Sequence, residues 1–308
     1  MIPRHTAPLL GVAFLLTAVA GHACAQADAG PPAIHYTVPG MDMVRVIRDV
    51  RYKTATVNAR ADVPLALDVY LVPGGTRAPG LVFVHGGLVA GTAPHAKEWP
   101  SYRSWGRIAA ASGMVGVVLD HRMNTNDVVD QAGGDLLDAV AHVRAHAGEY
   151  GLDPDRLCVA FYSAGGPISS VVLRRATPYV RCVVLYYPYL DLEHLSRTTP
   201  FRGPLPMARI DSLRGYSPRA ALARGADSLP PIFLARAGRD AIPFLNESVD
   251  RFVAEALRRN VVLDLVNHAS GVHGFDIETR DERTRDIIAQ TLRFARRHLG
   301  LEGDSLTR

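Results

Sequence analysis

The chain has 308 residues, of which 48% are hydrophobic and 21% are charged, and this composition is typical of one large globular domain or two small ones. The formal net charge is +4 and the arginines are spread along the chain, so the composition argues against a nucleic-acid-binding surface. The sequence has neither a cysteine pair at metal-ligand spacing nor an H-E-x-x-H motif, so we expect no metal ion and no other cofactor.

The N-terminus has the pattern of a secretory signal peptide. A short positive region at Arg4 and His5 precedes an apolar run at 7–21, and small-x-small cleavage patterns follow at 23–27. The apolar run is shorter than the roughly 18–20 residues that a membrane-spanning helix needs. We therefore predict a periplasmic or secreted protein with no stable membrane span after signal removal. An uncleaved anchor and a lipoprotein modified at Cys24 are the alternatives.

Strand and helix patterns alternate through most of the remaining chain. Period-two alternation and short apolar runs predict strands, whereas apolar residues spaced by three and four predict helices. The predicted strands cover residues 43–57, 64–75, 80–87, 114–122, 153–163, 180–188, 229–238 and 261–267. The predicted helices cover residues 101–113, 127–151, 166–176, 243–260 and 282–299.

This alternation predicts an α/β fold with a mostly parallel sheet and helices on both faces. The first two strands have no helix between them, so they should form an antiparallel N-terminal edge. Residues 190–229 interrupt the alternation with several prolines, and an insertion of this length is typical of a small lid. We divide the chain into a signal peptide at 1–25, a loose leader at 26–43 and a single domain at 44–300.

Two cysteines, Cys158 and Cys182, remain after removal of the signal peptide. An exported protein can pair its cysteines. Both residues, however, lie in apolar runs that are predicted to be buried parallel strands, where a free cysteine behaves as a small apolar residue. We therefore expect free thiols in the core.

Polar residues and small residues follow several predicted strands, and parallel sheets bind ligands at the carboxyl ends of their strands. Ser163 and the tripeptide HGG at 85–87 end two predicted strands, and Asp240 and His273 come after two others. A serine hydroxyl becomes a nucleophile when a base takes its proton, and the base needs a third group that fixes its orientation. Small residues after a strand let backbone N–H groups approach an oxyanion closely.

From about residue 45 to 298 the sequence resembles the α/β-hydrolase superfamily. Within it, the sequence is most similar to esterases and lipases with an HGG oxyanion loop, including the hormone-sensitive-lipase-like carboxylesterases. The order serine, aspartate, histidine is the order of that superfamily. The motifs that carry the resemblance are "PLALDVYLVP", "VFVHGG", "VVLDHR", "GLDPDRLCV", "SAGG", "ARAGRD" and "VHGF".

The resemblance implies roles for particular residues. Ser163 would be the nucleophile, His273 the general base and Asp240 the acid that orients it. The candidate N–H donors of the oxyanion hole are Gly86, Gly87, Leu88 and Ala164, with Leu88 standing where related esterases often have a third glycine. The candidate supporting residues are His85, which would brace the loop, and Asp120 and Arg122, which would form structural hydrogen bonds near it. The alternatives are His268 as the base and Glu247 or Asp227 as the acid.

The serine motif departs from G-x-S-x-G at its first position, where the chain has Phe161. In a densely packed interior the ring must find room between the strand and the following helix. We expect it to do so and to preserve the turn at Ser163. The alternative is a displaced helix and a misaimed Ala164 N–H.

The predicted function is that of an exported serine hydrolase that cleaves small carboxylic esters through an acyl-enzyme on Ser163. A peptidase or amidase with the same residues is one alternative. A non-catalytic binding protein, with its turn impaired by Phe161, is the other. The natural substrate and the oligomeric state are not readable from the sequence.

Overall fold

The structure is a computed structural model that describes residues 32–57, 60–86, 95–122, 129–174, 177–197, 215–224 and 229–301. The predicted signal peptide, the centre of the predicted lid insertion, and Gly87 and Leu88 of the predicted oxyanion hole lie outside these residues.

Within the described residues, eight strands form one sheet. The strands are β1 (Val46–Val57), β2 (Arg60–Tyr70), β3 (Ala78–Val84), β4 (Val115–Leu119), β5 (Leu152–Tyr162), β6 (Val180–Tyr186), β7 (Ile232–Ala237) and β8 (Leu263–His268). Their spatial order is β1-β2-β4-β3-β5-β6-β7-β8. Strand β5, which ends immediately before Ser163, therefore lies in the middle of the sheet.

Helices cover the sheet. The α-helices are α1 (Pro100–Ala111), α2 (Val129–Ala145), α3 (Ser170–Leu173), α4 (Leu192–Arg197), α5 (Pro218–Arg224), α6 (Leu245–Arg258), α7 (Phe275–Glu278) and α8 (Glu282–His298). Short 3₁₀ helices lie at Met41–Met43, Ala96–Glu98 and Ser163–Ser169. No helix in the described part of the chain is long and apolar enough to cross a membrane.

The predicted sheet is confirmed, including its antiparallel edge. Strand β1 pairs antiparallel with β2, and β2 pairs antiparallel with β4. The pairs β3–β4, β3–β5, β5–β6, β6–β7 and β7–β8 are all parallel. Because parallel neighbours start from the same end, the carboxyl ends of β3, β5 and β7 lie along one rim of the sheet.

Two apolar cores lie on opposite faces of the sheet. One contains side chains of α2, α3, α5 and α6, and the other contains side chains of α1, α7 and α8. All seven residues of β3 are buried, which is typical of a strand covered on both faces. The continuous apolar runs of the central strands follow from this two-sided burial.

Two apolar residues in the described part of the predicted leader pack against the domain. Ile34 and Val38 are 7% and 8% exposed and belong to the core that contains α1. The Ile34 N–H donates to the Ser104 hydroxyl of α1 at 3.3 Å. Isolated apolar residues in an Ala-, Gly- and Pro-rich stretch have no periodicity, so their burial was not visible in the sequence.

Cys158 and Cys182 form a disulfide, so the expectation of free thiols is wrong. The two residues are direct partners in the parallel pairing of β5 and β6, with their Cα atoms 4.7 Å apart. That separation lies within the range that a disulfide spans. The sequence placed both residues in buried strands, but only the register of the sheet places them opposite each other.

Replacement of Cys182 by alanine should lower the free energy of unfolding by about 3.5 kcal/mol, because the disulfide closes a loop in the unfolded chain. The paired cysteines are 24 residues apart. Denaturant unfolding of the variant and of the oxidised wild type measures the difference. Two free thiols per chain in wild type that lacks the signal peptide with Cys24, when it is denatured without reductant, would contradict the pairing.

Candidate active site

Ser163 lies in a sharp turn at the end of β5. Its φ is 49°, in the left-handed region that costs free energy for a residue with a Cβ and often occurs at active sites. The chain then forms the 3₁₀ helix Ser163–Ser169 before the α-helix begins at Ser170. The predicted helix at 166–176 is thus a 3₁₀ helix in its first turn, where Pro167 lacks a backbone N–H.

A continuous chain of hydrogen-bonding atoms joins Ser163, His273 and Asp240. The Ser163 Oγ lies 2.8 Å from His273 Nε2, and His273 Nδ1 lies 2.6 Å from Asp240 Oδ2. The Asp240 side chain is fully buried, and the His273 side chain is 26% exposed. With the Nδ1 proton directed at the carboxylate, Nε2 is left to accept the proton of the Ser163 hydroxyl.

Two neighbouring loops at the sheet rim hold Asp240 and His273 together. The Ile242 N–H donates to Asp240 Oδ1 at 2.9 Å and fixes the carboxylate after β7. The Arg239 N–H donates to the Gly271 carbonyl at 2.8 Å, which ties the loop after β7 to the loop that carries His273. Backbone bonds therefore set the position of both side chains.

The alternative base and acids are not part of this chain of atoms. His268 is fully buried, and its Nε2 lies 3.1 Å from Thr284 Oγ1. Glu247 Oε2 instead lies 3.0 Å from His194 Nε2. Asp227 lies outside the described residues. Of the candidates that the structure describes, His273 and Asp240 are the ones that approach Ser163.

The HGG loop and the serine turn approach each other closely at two glycines. A Cβ at Gly86 would lie 2.5 Å from the Tyr162 carbonyl oxygen and 2.8 Å from Ser163 Cβ. A Cβ at Gly165 would lie 2.6 Å from the His85 carbonyl oxygen. Real Cβ atoms do not tolerate such distances, so the approach of the two segments requires glycine at both positions.

The Gly86 N–H, an expected oxyanion donor, instead donates to another residue of the protein. It donates to the Tyr102 hydroxyl of α1 at 2.8 Å, within the buried interior. This bond fixes the start of the loop against α1. Of the expected donors in the described residues, Ala164 directly follows Ser163 and is 4% exposed.

A family model described as the alpha/beta hydrolase fold matches residues 81–277, which is more than half of the chain. The chain belongs to this family. The matched range contains Ser163, Asp240 and His273, and the match confirms the resemblance inferred from the sequence motifs. A search of curated proteins finds no matching sequence.

Solved esterase structures share the fold of this hydrolase. The structure of a thermophilic esterase from the planctomycete Thermogutta terrifontis with bound propionate is 23% identical, with a TM-score of 0.62, over 88% of this chain and 98% of that chain. Thermogutta terrifontis esterase 2 phosphonylated by sarin is 22% identical, with a TM-score of 0.62, over 88% of this chain and 99% of that chain.

In this α/β-hydrolase, His85 is a buried residue in contact with a second histidine. Its ring stacks on His121 with the centroids 3.7 Å apart, and its Nδ1 lies 2.9 Å from the Gly86 carbonyl oxygen. Burial lowers the pKa of His85 to about 4. At neutral pH the ring therefore carries no charge, which agrees with a bracing contact beneath the loop.

Asp120 and Arg122, which follow β4, both form hydrogen bonds with other segments. Asp120 Oδ1 accepts a hydrogen bond from the Lys97 N–H at 3.1 Å, and burial raises the pKa of this carboxyl to about 8. Arg122 Nε and Nη2 donate to the carboxylate of Asp135 on α2 at 2.9 and 2.8 Å. These bonds fix the chain just after the loop and at the end of β4.

Sequence patterns did not single out two further residues near the loop. The Lys97 ammonium is 3% exposed and contacts Asp49 at 2.6 Å and Asp68 at 3.2 Å. Tyr102 lies on α1 and holds the Gly86 N–H. Neither residue belongs to a motif, and their partners are distant in sequence. Within the described ranges, no cluster of three or more His, Cys, Asp or Glu side chains could hold a metal ion.

Phe161 is accommodated in the core without loss of the serine turn. Its side chain is fully buried in the core that contains α2 and α3. Its register partners on the neighbouring strands are Val84 and Leu185. The positive φ of Ser163 and the 2.8 Å contact to His273 are both present with the ring in place. This is the arrangement that the sequence analysis favoured.

Gly86→Ala should lower kcat for ester hydrolysis by about 10²-fold or more, because the new Cβ must displace the serine turn and the expected oxyanion donor that follows Ser163. The matched control is Gly134→Ala on α2, since a Cβ at Gly134 meets no atom within 4 Å. That control should keep wild-type activity. Steady-state kinetics of the three proteins test the prediction, and a fully active Gly86→Ala enzyme would show that the close approach is dispensable.

Phe161→Gly should lower the free energy of unfolding by about 3–5 kcal/mol and should not increase activity, because the ring fills core volume. Phe161→Leu keeps most of that volume and should keep activity. Denaturant unfolding and hydrolysis rates, measured well below the melting temperature, check both statements. A gain of activity in Phe161→Gly would instead mean that the ring distorts the turn.

Proposed function

We propose that this α/β-hydrolase is an exported serine esterase in which Ser163, His273 and Asp240 form a catalytic triad. The observation that carries the proposal is the chain of contacts from Ser163 Oγ through the imidazole to Asp240, at 2.8 and 2.6 Å. The left-handed backbone of Ser163 adds to it, because that conformation presents the hydroxyl at the sheet rim.

In the proposed reaction, His273 Nε2 takes the hydroxyl proton as Ser163 Oγ attacks the ester carbonyl carbon. The buried carboxylate of Asp240 stabilises the imidazolium. Collapse of the tetrahedral intermediate breaks the bond to the alcohol oxygen, which receives the proton from His273. Water then attacks the acyl-enzyme with the same histidine as base, and the acid and free Ser163 result. The Ala164 N–H and backbone N–H groups of the HGG loop would stabilise the oxyanion.

Small carboxylic esters are the substrate class that the similar structures favour. The thermophilic esterase was determined with propionate bound, and esterase 2 was phosphonylated by sarin. A short acyl group and an organophosphorus reagent both suit a serine nucleophile in a small site. A peptidase or amidase would use the same residues, so the ester is favoured by these similarities rather than by the triad itself.

The export part of the proposal has support from two features. The first residues have the positive, apolar and small-residue regions of a signal peptide, for which a lipoprotein modified at Cys24 remains the alternative. The disulfide between Cys158 and Cys182 is of a kind that persists in oxidising compartments such as the periplasm.

The mature protein should hydrolyse a short-chain p-nitrophenyl ester, and Ser163→Ala should lower kcat by at least about 10³-fold, because removal of a triad member leaves only residual catalysis. Asp240→Asn should also lose activity. The matched control is Glu247→Gln, since Glu247 contacts His194 and is 61% exposed; this variant should keep wild-type activity.

The p-nitroanilide with the same acyl group separates the alternatives. Faster cleavage of the anilide than of the ester would favour an amidase. Wild type that cleaves neither compound and does not react with a fluorophosphonate at Ser163 would support a non-catalytic protein.

A further inference from the structure

Asp276 is a buried carboxyl group beside the triad that the proposed reaction does not use. It lies on α7, three residues after His273, and is 2% exposed. The indole N–H of Trp105 donates to its Oδ2 at 3.0 Å, and the Tyr187 hydroxyl donates to its Oδ1 at 2.6 Å. Burial raises the pKa of this carboxyl, and the two hydrogen bonds oppose the rise. Because a carboxyl is costly to desolvate, packing alone does not explain an aspartate here.

One of the two donors packs directly on the proposed base. The ring of Tyr187 lies against the imidazole of His273, with the centroids 4.7 Å apart and an angle of 60° between the planes. Tyr187 follows β6 with a φ of 35°, which is strained for a residue with a Cβ. Its N–H donates to the Ala235 carbonyl at 2.9 Å, and its hydroxyl is held by Asp276. Bonds at both ends of the residue therefore hold it in this conformation.

The other donor connects Asp276 to the serine turn. Trp105 is 1% exposed on α1, and its ring packs against Tyr162 with the centroids 5.8 Å apart. Tyr162 is the last residue of β5, directly before Ser163. Asp276 thus lies between the Tyr187 ring, which contacts His273, and the Trp105 ring, which packs against the residue before Ser163.

We propose that Asp276 is a positioning residue for His273, which it acts on by fixing the Tyr187 ring against the imidazole. Asp240 and Ser163 contact the imidazole at its edge, through Nδ1 and Nε2, and two contacts at the ring edge do not restrict rotation of the ring about the line that joins them. The Tyr187 ring, which contacts the imidazole at an angle of 60° between the planes, limits that rotation. This inference rests on the proposed function, since the orientation of His273 affects a reaction only if His273 transfers the proton.

Tyr187→Phe tests the link, because it keeps the ring and removes its bond to Asp276. We expect kcat for the p-nitrophenyl ester and the rate of Ser163 labelling by a fluorophosphonate to fall about tenfold with KM unchanged, since misplacement of a catalytic group by about 1 Å can cost 10²-fold. The matched control is Tyr186→Phe. Tyr186 is the preceding residue, is equally buried, and its hydroxyl contacts Thr291 at 2.6 Å, away from the triad.

Asp276→Asn, and the double variant that combines it with Tyr187→Phe, complete the test. Asp276→Asn should slow labelling, because its NH2 group replaces one of the two carboxylate oxygens that accept from Trp105 and Tyr187, and the double variant should be no slower than the slower single variant, because both changes weaken the same link. A merely structural role would lower the melting temperature of Tyr187→Phe and Tyr186→Phe alike, without the kcat effect confined to the first.

The outcomes distinguish failure of the positioning role of Asp276 from failure of the proposed esterase function. Rates for Tyr187→Phe within twofold of those for Tyr186→Phe would overturn the positioning role. A rate loss in the double variant equal to the product of the losses in the two single variants would overturn it as well. If Asp276→Asn does not fold, Tyr187→Phe alone decides. Wild type that neither labels nor hydrolyses would overturn the proposed function and the inference with it. A reactive wild type with an unaffected Tyr187→Phe would overturn the inference alone.

Discussion

The strained backbone of Ser163 is the constraint on which the rest of the site depends. A serine at a φ of 49° stays there only if the surrounding structure holds it. Here the turn ends the central strand β5 and is closely approached by the HGG loop, with glycines at the two points of contact. The hydroxyl is thereby aimed at the sheet rim, where the loops after β7 and β8 bring Asp240 and His273.

The segments around the turn are held by buried polar contacts as well as by apolar packing. The Tyr102 hydroxyl receives the Gly86 N–H, and Asp120 receives the Lys97 N–H on the far side of the HGG loop. Each contact satisfies a backbone donor that burial would otherwise leave unpaired. Both ends of the loop are therefore fixed by side chains from other elements, which is how a loop can carry precise geometry.

The turn shows why glycine is needed at one position beside the serine and not at the other. Two residues after Ser163, the backbone of Gly165 lies against the His85 carbonyl oxygen, and a Cβ has no space. Two residues before it, Phe161 is part of β5, and its side chain enters the core between Val84 and Leu185. Glycine is required where the HGG loop contacts the turn, so the requirement applies at Gly165 and does not apply at Phe161.

The sequence by itself determined the alternation of strands and helices, the antiparallel edge and the residues at the strand ends. These follow from local periodicity and from motifs in which neighbouring residues act together, as at Ser163 and the HGG loop. The tertiary structure alone decided the pairing of Cys158 with Cys182, the burial of Ile34 and the contact of Asp276 with Tyr187. Each of these depends on the register or packing of elements that are remote in sequence, and no local pattern encodes such a contact.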